Sequence, residues 1–213
     1  MLKAPPTLFA VDDDVRVLKA LGFLLRASHY TVQVYQSSEL FLAQFDPACH
    51  GCVICDLAMP NVNGLLLQRE LKARGSHIPL IFLTGHKSIP WTVEAMKGGA
   101  VDFLTKPVDD AKLLLSVRAA LRHDAEIRAV QARLAGLTER ERQVLGLVAG
   151  GMLNKEVADA CRVTERTVKF HRANLVRKLG VRTAAELIHL GIRGGLVSIG
   201  ATAAPHPHPK PGP

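Results

Sequence analysis

Four short signatures carry side chains able to do chemistry. "VDDD" sets Asp12, Asp13 and Asp14 in a row, "CDLAMP" offers Asp56, "LTGH" offers Thr84 and "LTKP" offers Lys106. Several carboxylates without a matching set of His or Cys ligands favour a hard cation, Mg²⁺ or Mn²⁺, that keeps some of its waters. Such a cation would shield the acids and let a carboxylate oxygen of Asp56 attack a phosphoryl group, forming an acyl phosphate. Thr84 and Lys106 could then hold the phosphoryl oxygens, since phosphoryl transfer is mainly positioning and charge neutralisation. A competing chemistry lies next door. Cys49, Cys52 and Cys55 imitate part of a zinc or iron–sulfur spacing, and Cys161 is the fourth cysteine of the chain.

The elements that must carry these residues decide between the two. Apolar runs over Thr7–Val11, Thr31–Tyr35, Gly51–Cys55, Pro79–Leu83 and Asp102–Thr105 predict short strands. Helical spacing over Val15–Ala27, Ser38–Gln44, Leu65–Arg74 and Ile89–Lys97 predicts helices between them, with a fifth starting near Asp109. Strand–helix alternation implies right-handed crossovers, hence an α/β doubly wound, five-stranded parallel sheet. "CVIC" lacks apolar–polar alternation, as a central strand covered on both faces should. Cys52 and Cys55 then point to opposite sides of the sheet and cannot share one ion; we expect core cysteines. The strand reading instead brings Asp12, Asp56, Thr84 and Lys106 to one rim, where open α/β sheets bind ligands. Singly, each has a plainer reading: Asp14 as a helix cap, Thr84 as a turn residue, Lys106 as a solvated lysine.

Residues 1–123 resemble the receiver domain of two-component response regulators. The matching pieces are the pair Asp12–Asp13, "D-x-x-M-P-x-x-x-G" from Asp56 to Gly64, "TGH" at Thr84 and "GAVDFLTKP" from Gly99. The resemblance implies that Asp56 accepts phosphate from a histidine kinase. It implies that Asp12, Asp13, Asp56 and the main-chain carbonyl of Ala58 hold the metal. Thr84 and Lys106 become the switch hydroxyl and the lysine, and Lys106–Pro107 a peptide often held cis. Phe103 takes the place of the switch aromatic, with a plain core aromatic as the other reading. Phosphorylation would draw Thr84 inward, turn Phe103 and favour a homodimer. Lys87 and Trp91 are local departures, and Cys55 beside Asp56 raises a redox reading that burial of the thiol would oppose.

No Gly or Pro occurs between Val108 and Ala135, which leaves two readings: the fifth helix runs on through a helical linker, residues 124–136, the one favoured, or it ends near His123 before a separate short segment. The rest is helical. Thr138 with Glu141 predicts a capping box; Asn154 is read as the cap of Lys155–Cys161, Thr164 as that of Glu165–Leu179, and a fourth helix covers Ala184–Ile192. A short turn between the second and third is helix-turn-helix geometry. Val168, Leu175 and Leu179 form an inner stripe, while Arg166, Lys169, Phe170, Ala173 and Arg177 lie on another face. "LTxRExxVLxLVAxGxxNKEVA" and "TVKxHRxNLxxKLG" resemble the LuxR-type DNA-binding domain, over residues 137–199. From the resemblance, Lys169 and Phe170 approach bases. Asn154, Lys155, Thr167, His171, Arg172 and Arg177 contact phosphate or groove, and Arg166, on the basic face, is read as a further DNA contact. Ala173 is smaller than its counterparts in many relatives, and Arg162 stands where many helix-turn-helix proteins have glycine.

Charge agrees with two halves. The chain carries a net +8, concentrated behind residue 123: 14 Lys and Arg against 8 acids there, 13 against 11 before it. A basic rear half fits a nucleic-acid partner, and equally a merely basic domain. No run of about eighteen apolar residues occurs, so no membrane span is expected. Cysteine usage points to a reducing cytoplasm. The Pro-rich end, residues 200–213, is expected to be a disordered tail.

A receiver followed by a LuxR-type domain resembles the NarL/FixJ class of response regulators. The expected function is a phosphorylation-controlled DNA-binding transcriptional regulator, an activator. Its partners are a sensor histidine kinase, double-stranded promoter DNA, a second copy of the chain, and RNA polymerase. The alternative is a phosphorylation-independent DNA binder with a vestigial receiver. An aspartyl phosphatase would need an acid two residues after Asp56, where Ala58 stands, so no enzyme is expected beyond slow autophosphorylation and self-dephosphorylation at Asp56.

Overall fold

The computed structural model describes residues 5–85 and 89–197. The expected tail, 200–213, and Lys87 lie outside the described residues. The chain divides into two compact units, residues 1–126 and 127–213.

The first unit alternates β1 (Thr7–Val11), α1 (Val15–Ala27), β2 (Thr31–Tyr35), α2 (Ser38–Gln44), β3 (Gly51–Asp56), α3 (Gly64–Ala73), β4 (Leu80–Thr84), α4 (Ile89–Lys97), β5 (Asp102–Thr105) and the start of α5 (Asp110–Ala135). All strands are parallel, in the order β2-β1-β3-β4-β5. The order reverses between β1 and β3, which is where such a sheet binds ligands. β3 runs one residue further than its apolar run implies and includes Asp56, because Asp56 still pairs with Leu83 of β4.

β3 is buried throughout and feeds two cores in alternation. Val53 and Cys55 join Phe9, Val11, Leu80 and Phe82 under one face. Cys52 and Ile54 join Leu8, Ala10, Ile81 and Leu83 under the other. The cysteines are therefore side-chain packing of opposite faces, not a knuckle. Gly51 opens β3 at φ 141°, and a Cβ there would sit 1.7 Å from the Thr7 carbonyl oxygen, so no other residue fits.

The second unit begins within α5 and continues with α6 (Glu139–Ala149), α7 (Asn154–Cys161), α8 (Glu165–Leu179) and α9 (Ala184–Arg193). Val130 and Leu134 of α5 join Val144, Leu145, Val157, Val168, Leu175 and Leu187 in its core. Thr138 and Glu141 form the expected capping box, each side chain accepting the other's backbone N–H. Asn154 is not the cap of α7. Leu153 occupies that position, and the Glu156 carboxylate accepts its N–H at 2.7 Å. Asn154 is freed for another partner, since its Oδ1 accepts from Arg172 at 2.7 Å. The α7–α8 turn places Arg162 at φ 51°, ψ 49°, the left-handed region, at a cost of about 1 kcal/mol for a non-glycine residue.

Glu141 also accepts from Lys178 of α8 at 2.7 Å, tying the first helix of the unit to the end of the third. Lys178 and then the Thr138 amide hold its carboxyl below the ordinary value of 4.5. A lowered acid stabilises the fold above its unfolded pKa, and the contribution disappears as pH falls through the folded value. Glu141→Gln is expected to lower stability by about 1 kcal/mol at pH 7. The difference should shrink below the ordinary carboxylate value of 4.5. Urea unfolding of wild type and variant between pH 7 and pH 3 checks both.

Candidate functional site

Sheet register brings the chemistry together. Val11 pairs with Cys55, so the next residues, Asp12 and Asp56, leave β1 and β3 side by side. Thr84 ends β4 one step beyond the Asp56–Leu83 pair. Thr105 pairs with Thr84, and the Lys106 amide then donates to the Thr84 carbonyl at 2.7 Å, which turns the lysine over the rim. The Lys106–Pro107 peptide is cis.

Ligand oxygens of Asp12, Asp13 and Asp56 lie within 4.8 Å of one another, with Asp12 and Asp56 buried and Asp13 exposed. Lys106 Nζ donates to Asp12 Oδ2 at 2.6 Å and lies 3.3 Å from Asp56 Oδ2. The second oxygen of each buried acid is held by backbone: Asp12 Oδ1 accepts the Asp14 amide at 2.9 Å, and Asp56 Oδ1 the Leu57 amide at 2.8 Å. Both carboxylates are thus oriented by main chain and turned with one oxygen toward the lysine.

The electrostatics follow. Burial raises the Asp12 carboxyl above its ordinary range, more than Lys106 and the Asp14 amide lower it, and Asp56 adds to the rise. Burial alone would depress Lys106, but bonds and charge from Asp12, then Asp56, outweigh it and hold the ammonium above its ordinary value. Three acids against one lysine, gathered this closely, suit a divalent hard cation with oxygen ligands.

The remaining expected residues are placed nearby or apart. Thr84 is fully buried at the end of β4. Ala58 lies exposed in the segment between β3 and α3. Phe103 is half-buried on β5, beside Phe82 of β4. Gly64, last of the Asp56 signature, opens α3 so close to β3 that a Cβ would lie 2.7 Å from the Asp56 carbonyl oxygen. Cys55 Sγ donates to that same carbonyl at 3.0 Å and is fully buried. Burial, then the charges of Asp56 and Asp12, push the thiol well above its ordinary value, which opposes the redox reading. The Leu57 and Asp14 amides had no signal in the residue types, since every residue but proline has an N–H.

In the second unit, Val168, Leu175 and Leu179 of α8 are buried as expected. Arg166, Lys169, Phe170, Ala173 and Arg177 are exposed, and Phe170 is 63% exposed. Thr167 and His171 are half-buried, and the His171 ring meets the Phe170 ring at 6.1 Å. Lys155 is exposed at the start of α7, while Asn154 and Arg172 are held by each other. Arg177 donates to Asn174 at 2.8 Å.

Asp12→Asn removes one of the two buried charges of the rim, the one whose carboxyl burial raises. It is expected to raise the stability of the metal-free protein by about 1 kcal/mol at pH 7, and to abolish any stabilisation by millimolar Mg²⁺. A raised acid destabilises the fold above its folded pKa and ceases to do so below the unfolded value of 3.8, so the gain should vanish in acid. Thermal unfolding with and without Mg²⁺ from pH 7 to pH 3.5 checks this.

Comparison with known proteins agrees with this geometry. Residues 8–118 match the response regulator receiver domain family, and residues 135–190 match the luxR family of bacterial regulatory proteins. The chain is 41% identical to the transcriptional regulatory protein FixJ of Azorhizobium caulinodans over 193 residues, covering 87% of this chain and 92% of FixJ. It is 40% identical to the response regulator protein TodT of Pseudomonas putida, covering 86% and 84%. Among solved structures, the response regulator StyR is similar with a TM-score of 0.58 at 40% identity, covering 89% of this chain and all of StyR. Full-length FixJ from B. japonicum gives 0.55 at 35% identity, covering 91% and 98%. With its acidic rim on a five-stranded parallel sheet and its helical second half, the chain belongs to the response regulators of the NarL/FixJ class, a receiver domain joined to a LuxR-type domain.

Proposed function

We propose that this response regulator is a transcriptional activator that takes a phosphoryl group on Asp56 from a sensor histidine kinase. The observation that carries the assignment is the setting of Asp56. It ends the central strand with one oxygen held by the Leu57 amide and the other facing Lys106, beside Asp12. Mg²⁺, or Mn²⁺, would be held by Asp12, Asp13, Asp56 and the carbonyl of Ala58, shielding the acids as the phosphoryl group approaches. Lys106 and Thr84 would then receive the phosphoryl oxygens, and Phe103 would follow Thr84. Slow self-dephosphorylation is the only turnover expected.

In this reading residues 1–123 receive the signal, 124–136 form a helical linker and 137–199 bind DNA. Lys169 and Phe170 would meet base edges in the major groove, and Asn154, Lys155, Arg166, Thr167, His171, Arg172 and Arg177 phosphates or groove walls. The exposure of Phe170 beside Lys169 on a basic helix face supports this. A phosphorylation-promoted homodimer would read paired half-sites and engage RNA polymerase. No helix among the described residues is long and apolar enough to cross a membrane, which accords with a cytoplasmic site of action.

Intact-protein mass after incubation with acetyl phosphate and Mg²⁺ tests the acceptor. One phosphoryl adduct is expected in wild type and none in Asp56→Asn; an adduct retained in the variant would move the acceptor elsewhere. Lys155→Ala, at a phosphate contact in this reading, is expected to weaken binding to duplex DNA and reduce the slope of log affinity against log salt by about 1. Phe170→Ala should weaken binding without changing that slope. Fluorescence anisotropy across a salt series separates the two.

A further inference from the structure

A second concavity in the first unit shares no residue with the acidic rim. It holds about 460 Å³ and is lined by residues of α1, of β2 and the turn after it, and of α2. Val15, Leu18, Val34 and Leu40 supply its apolar lining, and Val15, Val34 and Leu40 remain 40%, 42% and 52% exposed. Lys19 and Arg26 line it as well, and no carboxylate does. Among the described residues neither cation pairs with an acid; Arg26 reaches only the Val32 carbonyl, at 3.4 Å.

The groove has been cleared at one position. Val15, Leu18, Lys19, Gly22 and Arg26 recur at helical spacing and share a face of α1. Glycine is disfavoured inside a helix, yet Gly22 sits mid-helix and buried. A Cβ there would lie 2.8 Å from Arg26 Nη1 and 3.7 Å from Val34 Cγ1. The missing side chain is the space in which the guanidinium lies back along α1 beside β2.

We propose that this groove binds an amphipathic carboxylate, an apolar chain or ring bearing a single acid group. The apolar part rests on the buried Leu18 and covers Val15, Val34 and Leu40, removing from water three apolar side chains that the fold leaves exposed. The carboxylate lies between Lys19 and Arg26, where the planar guanidinium offers a two-pronged partner. The volume falls within the range of small-molecule sites, and apolar walls with a few convergent polar groups are their usual make-up. Charge complementarity selects an acid over a neutral molecule, since the lining offers two cations and no anion.

The test is titration of the ¹⁵N-labelled full-length protein with octanoate and with 3-phenylpropanoate, followed by amide shifts, with 1-octanol as the uncharged control. Saturable shifts clustered on Val15, Leu18, Val34 and Leu40 are expected for at least one acid. Affinity for it should exceed that for octanol by about tenfold or more, and fall about tenfold in Arg26→Gln. Gly22→Ala keeps the helix and should weaken binding similarly by displacing the guanidinium. The proposal is overturned if neither acid saturates at millimolar concentration, if octanol binds as well, or if both variants bind as wild type does.

Discussion

Two carboxylates buried side by side set the terms for the receiver. Asp12 is 1% exposed and Asp56 7%, and they share a single ammonium. Burying like charges together is tolerated only where each finds a partner and each oxygen a donor. The sheet meets that demand in two ways. Parallel register sets the ends of β1 and β3 level, and backbone amides of Asp14 and Leu57 take one oxygen from each acid. The residue following β5 is the lysine, aimed by the bond between its amide and the Thr84 carbonyl. Remove the register and the same residues would be separate charged side chains with no common site.

The second unit solves a different problem. Its core is small and apolar, and its polar anchors stand at helix ends rather than at a buried site. Glu141 is the main one, closing the capping box of α6 and reaching Lys178 of α8. That bond helps hold α8 with Val168, Leu175 and Leu179 inward, and Lys169 and Phe170 outward. The exposed face is basic and carries an aromatic ring, a combination that costs solubility and gains only when a partner covers it. The receiver thus stores its chemistry in buried charge, whereas the second unit presents its chemistry on an outer face.

α5 belongs to both stories. Leu113, Val117 and Ala120 are buried in the first unit's core, and Val130 and Leu134 in the second's. The absence of Gly and Pro between Val108 and Ala135 favoured one helix without deciding against a break near His123; the helix runs unbroken from Asp110 to Ala135. Asp124, on the same helix, is buried and accepts the Gly51 amide at 3.3 Å. It joins α5 to the first residue of the strand that ends in Asp56, a pairing across 73 residues that periodicity does not express.

Much of the molecule was legible without coordinates. Apolar runs and period-3.6 patterning set the order of strands and helices, and unalternating "CVIC" marked the central strand, which argued against a cysteine metal site before any distance was known. The signatures around Asp12, Asp56, Thr84 and Lys106 named the rim, since strand ends in such a sheet converge. Among the helix caps, Asp14, Thr138 and Thr164 stand where they were expected, and Asn154 does not. Asn154 has the right chemistry for a cap, but a cap competes with tertiary partners, and Arg172, eighteen residues on, takes its oxygen while Glu156 serves the Leu153 amide. The link between Glu141 and Lys178, the seat of Arg26 beside Gly22, and the amides that orient Asp12 and Asp56 were likewise invisible. Sequence determined which residue types line each element, because backbone periodicity is local. Only tertiary structure decided which of them meet, because packing and register bring together groups that the chain itself keeps far apart.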